Sequence, residues 1–453
     1  MDRRLLFKLL AIAGMTLLLL VPLALIADQV RQRSRLQEDV RHSIANSAAG
    51  PQTLVGPVLA IRYRERLEPE LRKEADGGPV TAVPRIVEQT LYLPPERLEI
   101  EGETRVETRR RGIYRARLFH LDGRMAGRFL LPPQLGLAGK HEILGADATL
   151  VLGVSDPRGV DNDPEVLIGG QRHRFAAPKE RPVQGDALAG ARLAIPLGPI
   201  APAGGPPLDF SFPLQLTGTE RLAFAPTGEA NSIRLRSDWR HPGFGGRFLP
   251  REREVSADGF TARWEISHLA RNFANTLGAA TAPEPEVLDI SFMDPVNIYL
   301  QSERAVKYGI LFIALTFAGF FLAEVLRRSP IHALQYLLVG LALALFFLLL
   351  IALSEHLAFA GSYLIASAAC IGLITAYLAG ALGGRRPALA FGAGLTGLYG
   401  VLYGVLLSED NSLLMGSLLL FLALGTVMLT TRRLDWYRLA AAPAADAADV
   451  AGA

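Results

Sequence analysis

Cysteine is all but missing from this chain: Cys370 is the only one in 453 residues. A disulfide framework or a thiolate metal cage needs several cysteines, so both are excluded. Cys370 falls within an apolar run and reads as a packing residue. Histidine is scarce as well, with 8 copies, and no set of His, Asp and Glu has zinc-type spacing. No metal and no cofactor is expected. Nor is there a large excess of either charge. The formal net charge is +3, without the clustered basic face that grips nucleic acid. No nucleic-acid partner is expected. One dense basic run, Arg109-Arg110-Arg111, reads as a solvated strand end or turn, with contact to an anionic lipid or polymer as the other reading.

What the chain has is long apolar runs, at residues 5–26, 308–326, 334–353, 359–382, 388–407 and 413–429. Each has the roughly 17–25 residues a helix needs to cross a hydrocarbon core at ~1.5 Å per residue. Residues 27–307 lie between the first run and the others and are mostly polar. The expected fold class is a membrane protein. It is an α-helical six-span bundle, one N-terminal anchor plus five C-terminal helices, with a large β-rich, sandwich-like periplasmic domain inserted after the first helix. The expected domains are an anchor at 1–27, an amphipathic stalk helix at 28–50 and the β-rich domain at 51–303. A five-helix bundle at 304–433 and an Ala-rich disordered cytoplasmic tail at 434–453 complete the chain.

The loop charges set the expected orientation. Arg3, Arg4 and Lys8 precede or enter the first run, Arg327 and Arg328 follow the second, Arg385 and Arg386 the fourth, and Arg432 and Arg433 the sixth. Cytoplasmic loops are enriched in Lys and Arg. Six spans with both termini in the cytoplasm satisfy every pair, and the compartment is the bacterial inner membrane. Arg31, Arg33 and Arg35 lie on the outer side in this scheme, where long translocated domains largely escape the rule. A cleaved signal peptide fits poorly, because the first run is longer than a usual signal core and Leu25 with Ala27 makes a weak cleavage pair.

The stalk is read from Ile26, Val30, Leu36, Val40 and Ile44, an apolar stripe near four-residue spacing. Gly50-Pro51 ends it. Beyond it, short alternating runs recur between Pro and Gly. In Phe210-Ser211-Phe212-Pro213-Leu214-Gln215-Leu216 every second residue is apolar, and Ser232-Ile233-Arg234-Leu235-Arg236 behaves alike. These are half-buried strands, with Pro213 pointing to an edge strand or a bulge. Residues 198–207, rich in Pro and Gly, read as a linker or long loop.

Two letter matches fail on context. Gly392-Ala393-Gly394-Leu395-Thr396-Gly397 fits a dinucleotide fingerprint but lies inside an apolar run. Ser354-Glu355-His356 reads as a helix end meeting water rather than a catalytic pairing. Lys307 and Glu324 sit near opposite ends of the second run, where long side chains reach the interface. No ionisable residue lies at the centre of the last five runs, which counts against a proton path. The small-residue steps Gly340 with Ala344 and Gly400 with Gly404 are read as internal helix contacts.

Candidate partner surfaces are two. One is the loop at 239–250, carrying Trp239, His241, Phe244 and Arg247. The other is a polar rim of Glu355, His356, Glu409 and Asp410. No catalytic residue stands out.

Ordered strings run along nearly the whole chain: Gly50-Pro51-Gln52-Thr53-Leu54-Val55-Gly56-Pro57, Gly112-Ile113-Tyr114, residues 239–255, Lys307-Tyr308, Ile313-Ala314-Leu315-Thr316-Phe317, Gln335-Tyr336-Leu337-Leu338-Val339-Gly340-Leu341, Leu353-Ser354-Glu355-His356 and Asp435-Trp436-Tyr437. Together they resemble the CreD family, also called cell envelope integrity proteins. The resemblance implies a role in bacterial envelope integrity within a two-component stress regulon, and no enzyme activity. The expected function is therefore a non-enzymatic envelope protein whose periplasmic domain binds or organises an envelope component, with membrane lipid as the other partner. A lipid or apolar-solute transporter and a membrane-anchored envelope hydrolase remain as alternatives.

Overall fold

The structure is a computed structural model. It describes residues 3–72, 81–137, 142–176, 191–270, 286–294, 297–327, 331–381, 384–407 and 412–432. The chain divides into two compact units, Glu38–Pro295 and the combination of Met1–Gln37 with Val296–Ala453.

The first unit is β-rich. One sheet takes β1 (Gln52–Arg72), β2 (Thr81–Leu93), β5 (Glu142–Val154), β8 (Ala191–Ile200), β10 (Arg221–Ala225), β12 (Gly243–Gly246) and β15 (Leu288–Ser291). Its order is β12-β15-β10-β1-β5-β8, with β2 paired to β1. The other takes β3 (Arg97–Arg111), β4 (Tyr114–Leu131), β6 (Glu165–Ile168), β7 (Gln171–Arg174), β9 (Gly205–Thr219), β11 (Ala230–Ser237), β13 (Glu252–Ser256) and β14 (Gly259–Ser267). It runs β13-β14-β11-β3-β4-β9-β6-β7. Both sheets feed one core, in which Leu59, Ile61 and Phe224 of the first meet Ile100, Phe119, Phe212 and Trp264 of the second. Each such aromatic or aliphatic side chain contributes about 1.5–3 kcal/mol by leaving water.

Alternation builds these strands. Phe210, Phe212, Leu214 and Leu216 of β9 are buried, while Pro213 and Gln215 are exposed. Pro213 is not on an edge strand. It pairs with Arg124 of β4 on one side. On the other, β6 reaches only Phe210 and Ser211, and the Asn162 side chain bonds the Pro213 carbonyl at 3.4 Å. Proline is tolerated where the neighbouring ladder has already stopped. Residues 198–207 are no linker. They hold the end of β8, a turn with Gly204 at φ +89°, and the start of β9, and so carry the chain from one sheet to the other.

The second unit is helical. It contains α1 (Arg3–Leu18), the first part of α2 (Leu20–Ser47), α3 (Ile298–Lys307), α4 (Gly309–Arg327), α5 (Ala333–Ser354), α6 (Phe359–Ala381), α7 (Arg385–Leu407) and α8 (Ser412–Thr431). The break at Leu19 lies one turn before Pro22, which has no N–H to give the Leu18 carbonyl. Among the described residues four helices are long and apolar enough to cross a membrane, Leu10–Ser47, Ala333–Ser354, Phe359–Ala381 and Arg385–Leu407. A fifth results if α3 and α4, bent by 43°, count as one span. The apolar stretch described in α8, Gly416–Leu429, is shorter.

Packing separates the small-residue steps. A Cβ on Gly340 would strike Phe317 at 2.8 Å, so this glycine lets two helices close up. A Cβ on Gly400 or Gly404 would meet nothing within 4 Å among the described residues, so no close approach there depends on these glycines.

Candidate functional site

The sequence-predicted surface residues fall in different places. Trp239, His241, Phe244 and Arg247 belong to the β unit, and Glu355 and His356 to the helical unit. Glu409 and Asp410 lie outside the described residues, as do Arg328, Arg433, the Asp435-Trp436-Tyr437 string and the Ala-rich tail.

Two loop residues are occupied within the fold. Phe244 sits in β12 and stacks edge-on against Phe260 at 5.4 Å and Trp264 at 5.9 Å, bridging the two sheets. The Trp239 indole donates to the His241 carbonyl at 2.8 Å, and the Arg117 guanidinium lies 5.0 Å over its ring. Arg117 in turn donates to both oxygens of Asp294, at 2.7 and 3.0 Å. His241 and Arg247 stay exposed, Arg247 with Glu286 at 3.2 Å.

The Ser354-Glu355-His356 corner is not simply a helix end in water. Glu355 has a side chain only 10% exposed and lies 3.4 Å from Arg33. The Tyr299 hydroxyl reaches the same carboxylate oxygen at 3.4 Å. His356 alone of the pair is exposed. Glu324 also departs from expectation. It is 8% exposed rather than reaching the interface. Its carboxylate accepts from Lys8 Nζ, from the Ile331 N–H at 3.1 Å and from the Tyr336 hydroxyl at 3.0 Å. The chain segment that brings Ile331 back is fixed by a capping box. His332 Nδ1 accepts the Leu334 N–H at 3.2 Å, and Gln335 returns a bond to His332.

The Gly50–Pro57 string also finds its reason. Gln52 is fully buried, and its amide spans the Asp156 carbonyl at 2.9 Å and the Thr217 carbonyl at 3.1 Å. Gly50 N–H donates to Asp156 Oδ2 at 2.9 Å. Arg158 grips the same carboxylate at 2.6 Å, and together they hold the Asp156 pKa down at about 2. Gly56 has φ +111° with the Val151 carbonyl 3.0 Å from where a Cβ would sit, a position only glycine fits well. Close by, burial pushes the Glu220 carboxyl upward against the opposing pull of Arg41, 3.1 Å away.

The open face of the eight-stranded sheet carries what sequence reading missed. Two hollows lie there. One of about 760 Å³ is lined by Glu101, Asp122, Arg124, Glu165, Arg172 and Pro213, among others. One of about 390 Å³ is lined by Glu103, Arg105, His120, Asp122, Asp161 and Gln215, among others. Asp122 belongs to both. The signal was present in the alternation, since Glu101, Glu103 and Arg105 are every second residue of β3. Which residues of β4 and β9 stand opposite them depends on register between distant segments, and no local pattern reveals that.

Two side chains of the smaller hollow, His120 and Asp161, are linked by hydrogen bonds through the buried Thr217. Thr217 Oγ1 lies 2.5 Å from Asp161 Oδ2 and 2.7 Å from His120 Nδ1. A carboxylate only accepts, so the hydroxyl proton goes to Asp161 and His120 Nδ1–H donates to Thr217. His120 Nε2 then faces Glu107 at 3.6 Å. Arg109, hydrogen-bonded to Glu107 at 2.7 Å, holds that carboxyl below the usual range. In this arrangement the histidine is not a base toward the hydroxyl, so Thr217 is not activated as a nucleophile. Among the described residues no group of three or more His, Cys, Asp and Glu has a metal-holding arrangement.

The elements described so far define a membrane protein with an N-terminal apolar helix, a large β-rich domain and several C-terminal apolar helices. The chain belongs to the CreD family: the family model described as inner membrane protein CreD matches residues 4–437. The Escherichia coli (strain K12) protein named inner membrane protein CreD is 36% identical over 436 residues, covering 95% of this chain and 93% of its own. Membership makes this an inner membrane protein. The chain is remotely similar to several solved structures. A mutant M1 zinc metallopeptidase from Deinococcus radiodurans covers 44% of this chain and 42% of its own, at 10% identity and a TM-score of 0.23. A nutrient-binding protein from Legionella pneumophila covers 49% and 77%, at 10% identity and a TM-score of 0.22. Likeness at that level carries no argument about this chain.

Proposed function

We propose that this chain is a non-enzymatic protein of the bacterial envelope. Its β unit lies on the periplasmic side and binds an envelope component through the hollows of its eight-stranded sheet. Its apolar helices hold it in the inner membrane, with both termini in the cytoplasm. The Arg-rich loops at 327–328 and 385–386, set against Glu355 on an opposite loop, support that orientation. The observation that carries the binding role is the pair of adjoining hollows, about 760 and 390 Å³, floored by charged side chains on an ordered sheet. Such concave polar sites on rigid elements are where ligands are held with defined orientation. The Thr217 hydrogen-bond direction speaks against nucleophilic catalysis in the same place.

A second reading, lipid handling, has one observation in its favour. An apolar hollow of about 440 Å³ lies among Leu315, Leu322, Phe391, Leu398 and Leu422 of α4, α7 and α8.

The test is photo-crosslinking in living cells. A photoreactive residue placed at Ser211 or Gln215, inside the hollows, is expected to capture a discrete envelope component. The same residue at exposed Asp147 of the other sheet is expected to capture none. Equal capture at all three positions, or none at any, ends the binding assignment.

A further inference from the structure

Two rows of side chains run side by side across the open face of the eight-stranded sheet. The first sets Glu252, Arg263, Arg234, Glu101 and Arg124 across β13, β14, β11, β3 and β4. Four of its five charges compensate one another: Arg234 pairs with Glu101 at 2.7 Å and Arg263 with Glu252 at 3.8 Å. The next row sets Glu254, Thr261, Arg236, Glu103, Asp122 and Gln215 across β13 to β9. Among the described residues, none of the charged side chains in this second row has an ion pair or side-chain hydrogen bond.

At the centre of that row Glu103 stands directly opposite Asp122. Like charges facing each other across a strand pair destabilise it. Both carboxylates line the smaller hollow. Each strand then places an arginine two residues away on the same face, about 6–7 Å along the strand. Because β3 and β4 are antiparallel, Arg105 and Arg124 fall on opposite sides of the acid pair. Neither has a side-chain partner among the described residues. The layout is a guanidinium, a pair of carboxylates, then a second guanidinium.

We propose that this constellation binds a short peptide carrying a free primary amine and at least one free carboxylate. The amine lies between Glu103 and Asp122, and a carboxylate pairs with Arg124 or Arg105. The assignment rests on the binding role given above to this face and names its ligand class. Chemistry excludes the simpler occupants. A hard divalent cation such as calcium wants six to eight oxygens, and among the described residues the acids and histidine that line this hollow are not arranged to hold a metal ion. A lone anion would have to approach two carboxylates. An apolar ligand would leave the four charged groups Glu103, Asp122, Arg105 and Arg124 without water or partner.

The test uses the full chain in lipid nanodiscs and the tripeptide Ala-Lys-Ala, with binding read by calorimetry. The free peptide is expected to bind about tenfold or more tightly than the same peptide acetylated at both amines, the range expected when a charge pair is lost at a partly solvated site. Glu103→Gln and Asp122→Asn are each expected to weaken the free peptide by about tenfold and to leave the acetylated one unchanged. The double variant Arg124→Gln with Arg105→Gln is expected to erase any preference for a free over an amidated C-terminus. Equal affinity for free and acetylated peptide overturns the proposal. So does binding of calcium or spermidine alone with the same dependence on Glu103, or of an N-acetylglucosamine trimer in place of the peptide. If the peptide fails while a photoreactive residue at Gln215 still captures a component in cells, the ligand class falls and the binding face stands. If both fail, both readings fall.

Discussion

The acids of the helical unit and those of the sheet face are treated in opposite ways. Glu324 and Glu355 each have a side chain about 10% exposed, and each meets a cation and a tyrosine: Lys8 with Tyr336, Arg33 with Tyr299. Glu103 and Asp122 meet each other across two strands, in the open. The contrast follows from the surroundings. An unpaired charge out of water costs several kcal/mol, so the fold must supply its partner. On a hydrated face water supplies the missing bonds, and a charge can wait for a partner from outside. A satisfied acid therefore reads as structure, and an unsatisfied pair as a site.

The largest effect is expected where a buried partner is removed. Glu324→Ala leaves the Lys8 ammonium and the Tyr336 hydroxyl without their acceptor, and about 3–5 kcal/mol of stability should be lost. The apparent Tm in nanodiscs should fall accordingly. The double variant Lys8→Met with Glu324→Leu should recover most of that loss, because an apolar pair leaves no charge stranded. A single variant as stable as the parent would show that the pair does not hold α1 to α4 and α5, and the comparison would lose its buried half.

A smaller effect, with a pH signature, is expected at Asp156. Its pKa is held near 2 by Arg158 and by the Gly50 N–H. A depressed carboxylate stabilises the fold above its unfolded value near 3.9, and that contribution disappears as pH falls toward the folded value. Arg158 is half exposed, so solvent screening reduces the worth of the arrangement to about 1 kcal/mol. Stability of the parent chain should drop between about pH 4 and pH 2, and Asp156→Asn should flatten that limb. An unchanged acid limb in the variant would remove Asp156 from the set of groups holding Gly50 and Gln52 in place.

How far these features were legible follows from their range. The apolar helices and the alternation of β9 and β11 are local, repeating every 3.6 or 2 residues, and the sequence displays them directly. So was the importance of residues 50–57, though only as a string. Its cause, Gln52 tied to Asp156 and Thr217, joins positions far apart in the chain. The setting of Glu324 is hidden from the sequence for a similar reason. Its position near a helix end suggests reach to the interface, yet the return of the chain at Ile331 and Tyr336 encloses it. Phe244 looked like part of a loop because glycine surrounds it. It packs inward because β12 pairs with β15 and carries its ring onto Trp264.

The smallest expected change in stability belongs to the acid pair, and that makes it the sharpest test of the contrast. Replacing Glu103 by Gln or Asp122 by Asn removes a like-charge repulsion on a solvated face and strands nothing. Thermal unfolding should therefore be unchanged or improved by about 0.2–1 kcal/mol. If either substitution instead destabilises the chain by the amount expected at Glu324, the carboxylates have a structural partner after all, and the division into satisfied and waiting acids fails. If stability holds while peptide binding is lost, the repulsion between Glu103 and Asp122 is a feature the fold tolerates for the sake of its ligand. Arg124→Gln then separates the carboxylate contact from the amine contact, because it changes the adjoining hollow without touching the acid pair.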